Sequence, residues 1–277
     1  MFLSSVALYL FVRRSNLLKT PQQLNNLAMY LIPGVVYLLL SINTSTRFAL
    51  KPFEYFLIFI QGIFFSYLGN VFSLKGIEYS PNPGYSLIIS KSYVVFTAIA
   101  SIFIFSAPLT IKSVIAIILI ISFSALIMID KSKNKSASNK LWLPYTIGAF
   151  FCFGLLALSS KYLLNVGVPI LTRLIFSMII VTVLILGEMS IKRVSIVNIT
   201  KSQFLTLAMI GVFATSFYYF MQVGFNLAPN VGYVNAENAA SISLLTLMSA
   251  FLFKDNLSLK KMIGIAGVTI GLFVLFL

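Results

Sequence analysis

The chain has 277 residues, of which 59% are hydrophobic and only 9% charged, with a formal net charge of +14. A soluble domain carries about 25% charged residues to solvate its surface, so this composition excludes a soluble globule. Continuous rather than alternating hydrophobicity excludes a β-barrel, and basic residues at the ends of apolar runs read as headgroup anchors, with no nucleic-acid partner expected.

The N-terminal stretch MFLSSVALYLFVRR carries its charge after its apolar part, the reverse of a conventional signal peptide. Residues 1–12 predict a first span of about 18 Å, short of a ~30 Å hydrocarbon layer, as though its opening turns were missing. Full-length spans are predicted over 22–42, 53–74, 84–106 and 109–129. A polar linker, DKSKNKSASNK, covers 130–140. Five more spans follow at 141–164, 169–189, 204–224, 232–253 and 257–277. The expected fold is therefore an all-α polytopic membrane protein of about ten transmembrane helices, the first shortened.

One motif occurs twice. P-N-x-G-Y stands at Pro81–Tyr85 and again at Pro229–Tyr233, 148 residues later. The offset pairs Arg13 with Lys161, Pro21 with Pro169, Phe56 with Phe204 and Gly76 with Gly224. Residues 79–129 and 227–277 share 11 identities over 51 ungapped positions, which reads as an internal duplication. The expected organisation is a first five-helix repeat at 1–129, linker and helix start at 130–148, and a second repeat at 149–277. Five spans per unit is odd, so the second unit enters the membrane from the opposite face. Such inverted repeats place a substrate site near the midplane between the halves. Locally, the motif reads as a turn: proline ends one span, Asn caps the next, and Gly allows a tight backbone.

The chemical inventory is narrow. With no histidine and one cysteine, Cys152, a zinc site, a Cys/His nucleophile and a disulfide framework are excluded. No P-loop is present, so primary pumping is not expected, and no cofactor is implied.

The layout resembles the drug/metabolite transporter superfamily, specifically its EamA-type ten-helix transporters. The resemblance spans nearly the whole chain. A basic residue ends spans one and six (Arg13, Lys161), with Pro21 and Pro169 eight residues on. PILTRLIFS carries P-x-x-x-R through Arg173, where Asn25 stands in the first copy. The last two spans read SLLTLMSAFLFKDNLSLKKMIGIAGVTIGLFVLFL, a small/apolar helix, a short charged turn and a G-x-x-x-x-x-x-G helix. The family's acidic residue before the last span is met by Lys254-Asp255-Asn256, but not by Ser106-Ala107-Pro108 in the first copy. The resemblance implies a multi-pass protein of the bacterial cell (inner) membrane that moves small organic solutes by alternating access. Its partners would be a small-molecule solute and membrane lipids.

Polar residues inside spans face a bundle interior or a water-filled cavity by default. Span three carries Ser66, Tyr67, Asn70 and Ser73; span four carries Ser86, Ser90, Tyr93 and Thr97 at helical spacing. Span eight carries Thr215, Tyr218, Tyr219 and Gln222, and span nine Asn235, Glu237, Asn238 and Ser241. These four spans are expected to line a cavity, as the resemblance also implies. The alternative is interhelical hydrogen bonding that holds the bundle together.

Glu237 is the one acidic residue inside a predicted span, with Lys91 as its approximate counterpart in span four. A proton- or cation-coupling carboxylate, a structural partner of a cation, and a headgroup-level residue are the three readings of Glu237. Helix starts at Gly84 and Gly232 leave Lys91 and Glu237 about 12 Å apart in depth, whereas starts at Pro81 and Pro229 bring them within about 3 Å. Arg173 and Lys161 read as snorkelling interfacial cations, with anion binding as the sharper alternative. Gly264, Gly267 and Gly271 form a small-residue stripe in span ten. Packing within the chain is expected there ahead of a homodimer face, which stays open as the alternative, because the mirror residues Leu119 and Phe123 are large.

One intramembrane acid makes no catalytic constellation, so an enzyme is not expected. A lipid-related protein or a non-transporting membrane scaffold of the same fold is the competing class. Orientation is divided. Odd-numbered loops hold Arg13, Arg14, Lys19, Lys75, Lys131, Lys133, Lys135, Lys140, Lys192, Arg193, Lys201, Lys254, Lys260 and Lys261, against chiefly Arg47, Lys51, Lys112 and Lys161 in even loops, which by the positive-inside rule puts the odd loops in the cytoplasm and the C-terminus outside. The resemblance implies both termini inside.

Overall fold

The computed structural model describes residues 1–44, 46–81, 83–129, 140–195, 199–255 and 257–276. The linker residues 130–139, with Asp130, Lys131, Lys133 and Lys135, lie outside the described residues, as do Asn82 of the first P-N-x-G-Y and Asn256 of the last turn. Among the described residues the chain is helical, with no strand. In chain order the helices are α1 Phe2–Leu17 and α2 Gln22–Asn43; α3, built of Pro52–Ile60, a π-helical segment Gln61–Leu68 and Gly69–Tyr79; and α4, Pro83–Lys91 and Tyr93–Phe105 on either side of Ser92. They continue as α5 Ile111–Met128, α6 Trp142–Asn165, α7 Ile170–Ile191, α8 Lys201–Leu227, α9 Val231–Phe253 and α10 Leu259–Phe276.

Among the described residues nine of these helices, α2 to α10, are long and apolar enough to cross a membrane. The chain is an integral, multi-pass membrane protein. Helix α1 has 16 residues, about 24 Å. It extends beyond the predicted residues 1–12 to Leu17, because its last turns contain Arg13, Arg14 and Ser15, which a hydropathy reading discards but a helix accepts. Helix α3 outruns its apolar stretch for the same reason, carrying Lys75 and Glu78 to Tyr79.

The helix boundaries repeat at the sequence offset. Adding 148 to the bounds of α2, α4 and α5 gives those of α7, α9 and α10, and α1 and α3 end 148 residues before α6 and α8. The termini repeat as well. Pro21 and Pro169 precede α2 and α7 with extended ψ angles. Left-handed backbone recurs at Lys19 and Gly167, and at Ser106 and Lys254.

The chain divides into two compact units, each drawing on both sides of the linker. One comprises Met1–Ile63 and Tyr162–Asn226; the other comprises Phe64–Lys161 and Leu227–Leu277. In the first, α2 packs on α7, its equivalent at the 148-residue offset. Tyr37, Leu174, Ile175 and Met178 form their core, flanked by Tyr30, Ile170, Leu171 and Tyr218. In the second, α5 packs on its equivalent α10, and the Tyr93–Phe105 part of α4 packs on α9. The glycine stripe of α10 makes the α5 contact: a Cβ on Gly264 would lie 2.5 Å from Ile127 and one on Gly271 2.8 Å from Ile120. The small residues of span ten are therefore spent inside the chain, as expected.

Candidate functional site

Buried polar side chains gather in two sets, one in each unit. The set in Phe64–Lys161 and Leu227–Leu277 is built around the second P-N-x-G-Y. Asn230, fully buried, is the N-cap of α9, its Oδ1 accepting from Gly232 N at 2.8 Å. Its Nδ2 donates to the carbonyl oxygens of Ala98 at 3.1 Å and Pro108 at 3.4 Å. Tyr233 adds a third contact, its hydroxyl donating to Pro108 O at 3.0 Å. Gly232 is required by proximity: a Cβ there would lie 2.4 Å from Ala98 Cβ and 2.7 Å from Ala98 Cα. The motif is a capped turn, as predicted, and it is also the point at which α9 docks on α4.

Lys161 holds the same turn. Its Nζ donates to the carbonyl oxygen of Ala228 at 3.1 Å, and the residue is only 8% exposed. A snorkelling cation keeps its charge in water, so the interfacial reading of Lys161 is corrected. A carbonyl freed by the break between α8 and α9 takes the ammonium, satisfying both buried groups.

One turn into α9, Asn235 is fully buried and its Nδ2 donates to Thr97 Oγ1 at 2.9 Å. Thr97 in turn donates to Val94 O at 3.0 Å. Asn235 Oδ1 has no hydrogen-bond partner among the described residues. The α4 stripe Ser86, Ser90, Tyr93 and Thr97 is buried throughout, and much of it is used for interhelical contact. Ser86 pairs with Thr146 at 2.8 Å, and Tyr93 packs on the ring of Phe153. Ser90 and Ser92 turn their hydroxyls back on Leu87 O and Ile88 O, a pairing that weakens and bends helices. The interruption of α4 is the single residue Ser92, whose N–H still bonds to Ile88 O at 3.0 Å while Val95 N bonds to Ser92 O.

Lys91, at that interruption, is half-buried and lines a small pocket with Ile88, Ile121, Ser124, Ala125, Met128 and Ala239. Glu237 and Asn238 are half-buried on α9, and Asn238 O accepts from Ser241 Oγ at 2.7 Å. Helices α4 and α9 begin at Pro83 and Val231, between the two registers weighed from the sequence. Tyr67 and Asn70 are half-buried on α3.

The second set lies in Met1–Ile63 and Tyr162–Asn226. Arg173 is 3% exposed, and its Nε donates to Gln61 Oε1 at 3.2 Å. The snorkelling reading of Arg173 is thereby corrected as well: the guanidinium is enclosed by protein. Tyr37 donates to Thr215 O at 2.6 Å, and Tyr30 stacks on Tyr218 with ring centroids 5.8 Å apart. Gln222 is 5% exposed with Oε1 lacking a partner among the described residues, whereas Tyr219 is 37% exposed.

Gln61, Asn230 and the carbonyl of Ala228 went unread as site elements. Gln61 carried a usable signal, a lone amide deep in an apolar run, which must find partners inside the bundle. The Ala228 carbonyl carried none, since every residue has one.

Among the described residues no group of three metal-ligating side chains occurs. No family model and no curated protein matches the chain. A crystal structure known simply as that of a protein is similar in fold, with a TM-score of 0.80, over 99% of this chain and 94% of its own, at 16% identity. At that identity the likeness establishes the fold alone.

Proposed function

We propose that this chain is a secondary transporter of the EamA type, moving small organic solutes across a membrane by alternating access between two inverted five-helix repeats. The reading counts α1 as the tenth span. The observation that carries it is the recurrence at 148 residues of helix bounds and of left-handed terminal residues. A unit of five spans repeated head to tail inverts, and inverted repeats that can exchange conformations underlie alternating access. Half-buried Glu237 is the carboxylate best placed for coupling, since an acid within a span is costly unless used.

Reconstitution in proteoliposomes, with a screen of amino acids, organic acids and amines against an imposed pH gradient, tests the proposal. Saturable, gradient-dependent flux of at least one solute is expected, and Glu237→Gln should abolish its pH dependence while leaving the protein folded. A folded mutant with unchanged pH-dependent flux removes the coupling role. Absence of flux for every solute, from both faces, favours the scaffold class. Labelling of Ser136→Cys in a Cys152→Ser background reports orientation, with protection from outside expected from the charge bias.

A further inference from the structure

Four helix ends meet at one end of the unit formed by Met1–Ile63 and Tyr162–Asn226. Gln203 Nε2, in the first turn of α8, donates to Leu18 O just past α1 at 3.0 Å. Gln23 Nε2, at the start of α2, donates to Glu188 Oε1 near the end of α7 at 3.4 Å. These ends carry Arg13, Arg14 and Lys19 from α1 and its exit, Lys192 and Arg193 just past α7, and Lys201 opening α8, all exposed. The unit holds two acidic residues, Glu54 and Glu188, and Glu54 lies in the first turn of α3, beyond the far end of α2. Six cations therefore stand against one carboxylate, Glu188, which Lys192 engages at 2.7 Å.

Two of the cations occupy positions that favour glycine. Helix α1 ends with Lys19 N bonded to Asn16 O and Thr20 N to Ser15 O. Helix α7 ends alike, with Arg193 N bonded to Ser190 O and Val194 N to Met189 O. This is the Schellman ending, which puts the residue after the cap in left-handed backbone, where a Cβ is strained. Lys19 has φ 56° and Arg193 φ 52°. Helix α6 ends with the same two bonds, from Gly167 N to Leu164 O and from Val168 N to Leu163 O. Glycine, with φ 87°, stands there at the position 148 after Lys19. The stop itself thus needs no cation, and what Lys19 and Arg193 contribute is their charge. Among the described residues neither side chain has a hydrogen-bond or ion-pair partner.

The same turns also carry apolar side chains that face outward: Leu17, Ile191 and Phe204 are largely exposed. Exposed apolar groups within a turn of exposed cations mark the level where acyl chains give way to headgroups.

We propose that this end of the unit binds anionic phospholipid, its cations meeting the headgroup phosphates and Leu17, Ile191 and Phe204 meeting the acyl chains. Clusters of about four to eight Lys and Arg beside membrane helices attract anionic lipid, and both side chains hydrogen-bond phosphate oxygens strongly. The occupant is a lipid because the patch stands on the ends of α2, α7 and α8, which are long and apolar enough to cross the membrane, so that headgroups already surround it. Lipid binding here does not depend on transport.

The test is thermal unfolding in nanodiscs of phosphatidylcholine alone or mixed with phosphatidylglycerol, which present both leaflets alike and so make orientation immaterial. A Tm higher by on the order of 5 °C is expected with phosphatidylglycerol, the increment shrinking as sodium chloride rises. Lys19→Gly with Arg193→Gly should keep or raise the Tm in phosphatidylcholine, because glycine suits both backbone positions. The same pair should lose roughly a third of the increment, having removed two charges of six. Arg14→Gln with Lys201→Gln removes as many charges without touching the left-handed residues. It should lose as much, and it decides if the glycine pair does not fold. Arg47→Gln with Lys51→Gln takes two charges from the far end of α2 and should keep the whole increment. No increment in the wild type, or an equal loss from the Arg47 and Lys51 pair, overturns the site. An equal rise from sodium phosphate in phosphatidylcholine nanodiscs overturns lipid as its occupant.

Discussion

The ring of Phe123 occupies the space that a side chain on Gly267 would need: a Cβ there would lie 2.1 Å from the ring's Cγ. The residue 148 positions before Gly267 is Leu119, and the one 148 after Phe123 is Gly271. Helices α5 and α10, whose bounds stand 148 residues apart, are thus complementary where they pack, one with bulk and the other with grooves.

Gly267→Ala is expected to destabilise the protein by about 1–3 kcal/mol, the usual cost of overpacking. Because the two sites touch, Phe123→Ala in the same chain should recover part of that loss. Unfolding in mixed micelles measures both, and an unchanged midpoint for Gly267→Ala would refute the packing account.

Lys161→Met removes the donor to Ala228 O. A hydrogen bond from a charged group contributes about 1.5–3 kcal/mol, so a loss of that size is expected by the same measurement. Lys161→Gln retains a shorter donor and should fall between the two. Equal stability of the Lys161→Met variant and the wild type would return Lys161 to an interfacial role.

Asn230 separates two functions of one amide. Asn230→Asp keeps the acceptor for Gly232 N but loses the donor to Ala98 O and Pro108 O, whereas Asn230→Ala loses both. An N-cap is worth roughly 0.5–2 kcal/mol, so the expected order of stability is Asn, Asp, Ala. A reversal of Asp and Ala in thermal unfolding would show that a buried carboxylate facing the carbonyl oxygens of Ala98 and Pro108 costs more than the cap contributes.

Thr97→Val removes the acceptor of Asn235 Nδ2. Interhelical hydrogen bonds in membrane proteins average about 0.6 kcal/mol and reach about 1.7, so only a small loss of stability is expected. If this bond merely joins α4 to α9, solute flux should survive the substitution. A collapse of flux with stability intact would place Thr97 in the transport path.

Composition and apolar run length determined that this chain is a multi-pass helical membrane protein, because a bilayer admits only spans that satisfy their own backbone. The 148-residue recurrence of helix bounds was legible too, in paired prolines and shared glycines, because the residues that start and stop a helix act locally. Helix ends such as Leu17 and Tyr79 were less legible, since hydropathy follows the hydrocarbon layer and not the backbone ladder.

What surrounds each charge was decided only in three dimensions. Arg173 and Lys161 look alike in sequence, each a cation near the end of an apolar run, and both suggested snorkelling. One is enclosed beside Gln61 and the other on the carbonyl of Ala228. A one-dimensional pattern gives a residue's distance along its own helix but not which neighbouring helix covers it. For a buried charge, the covering groups set the balance between desolvation and hydrogen bonding.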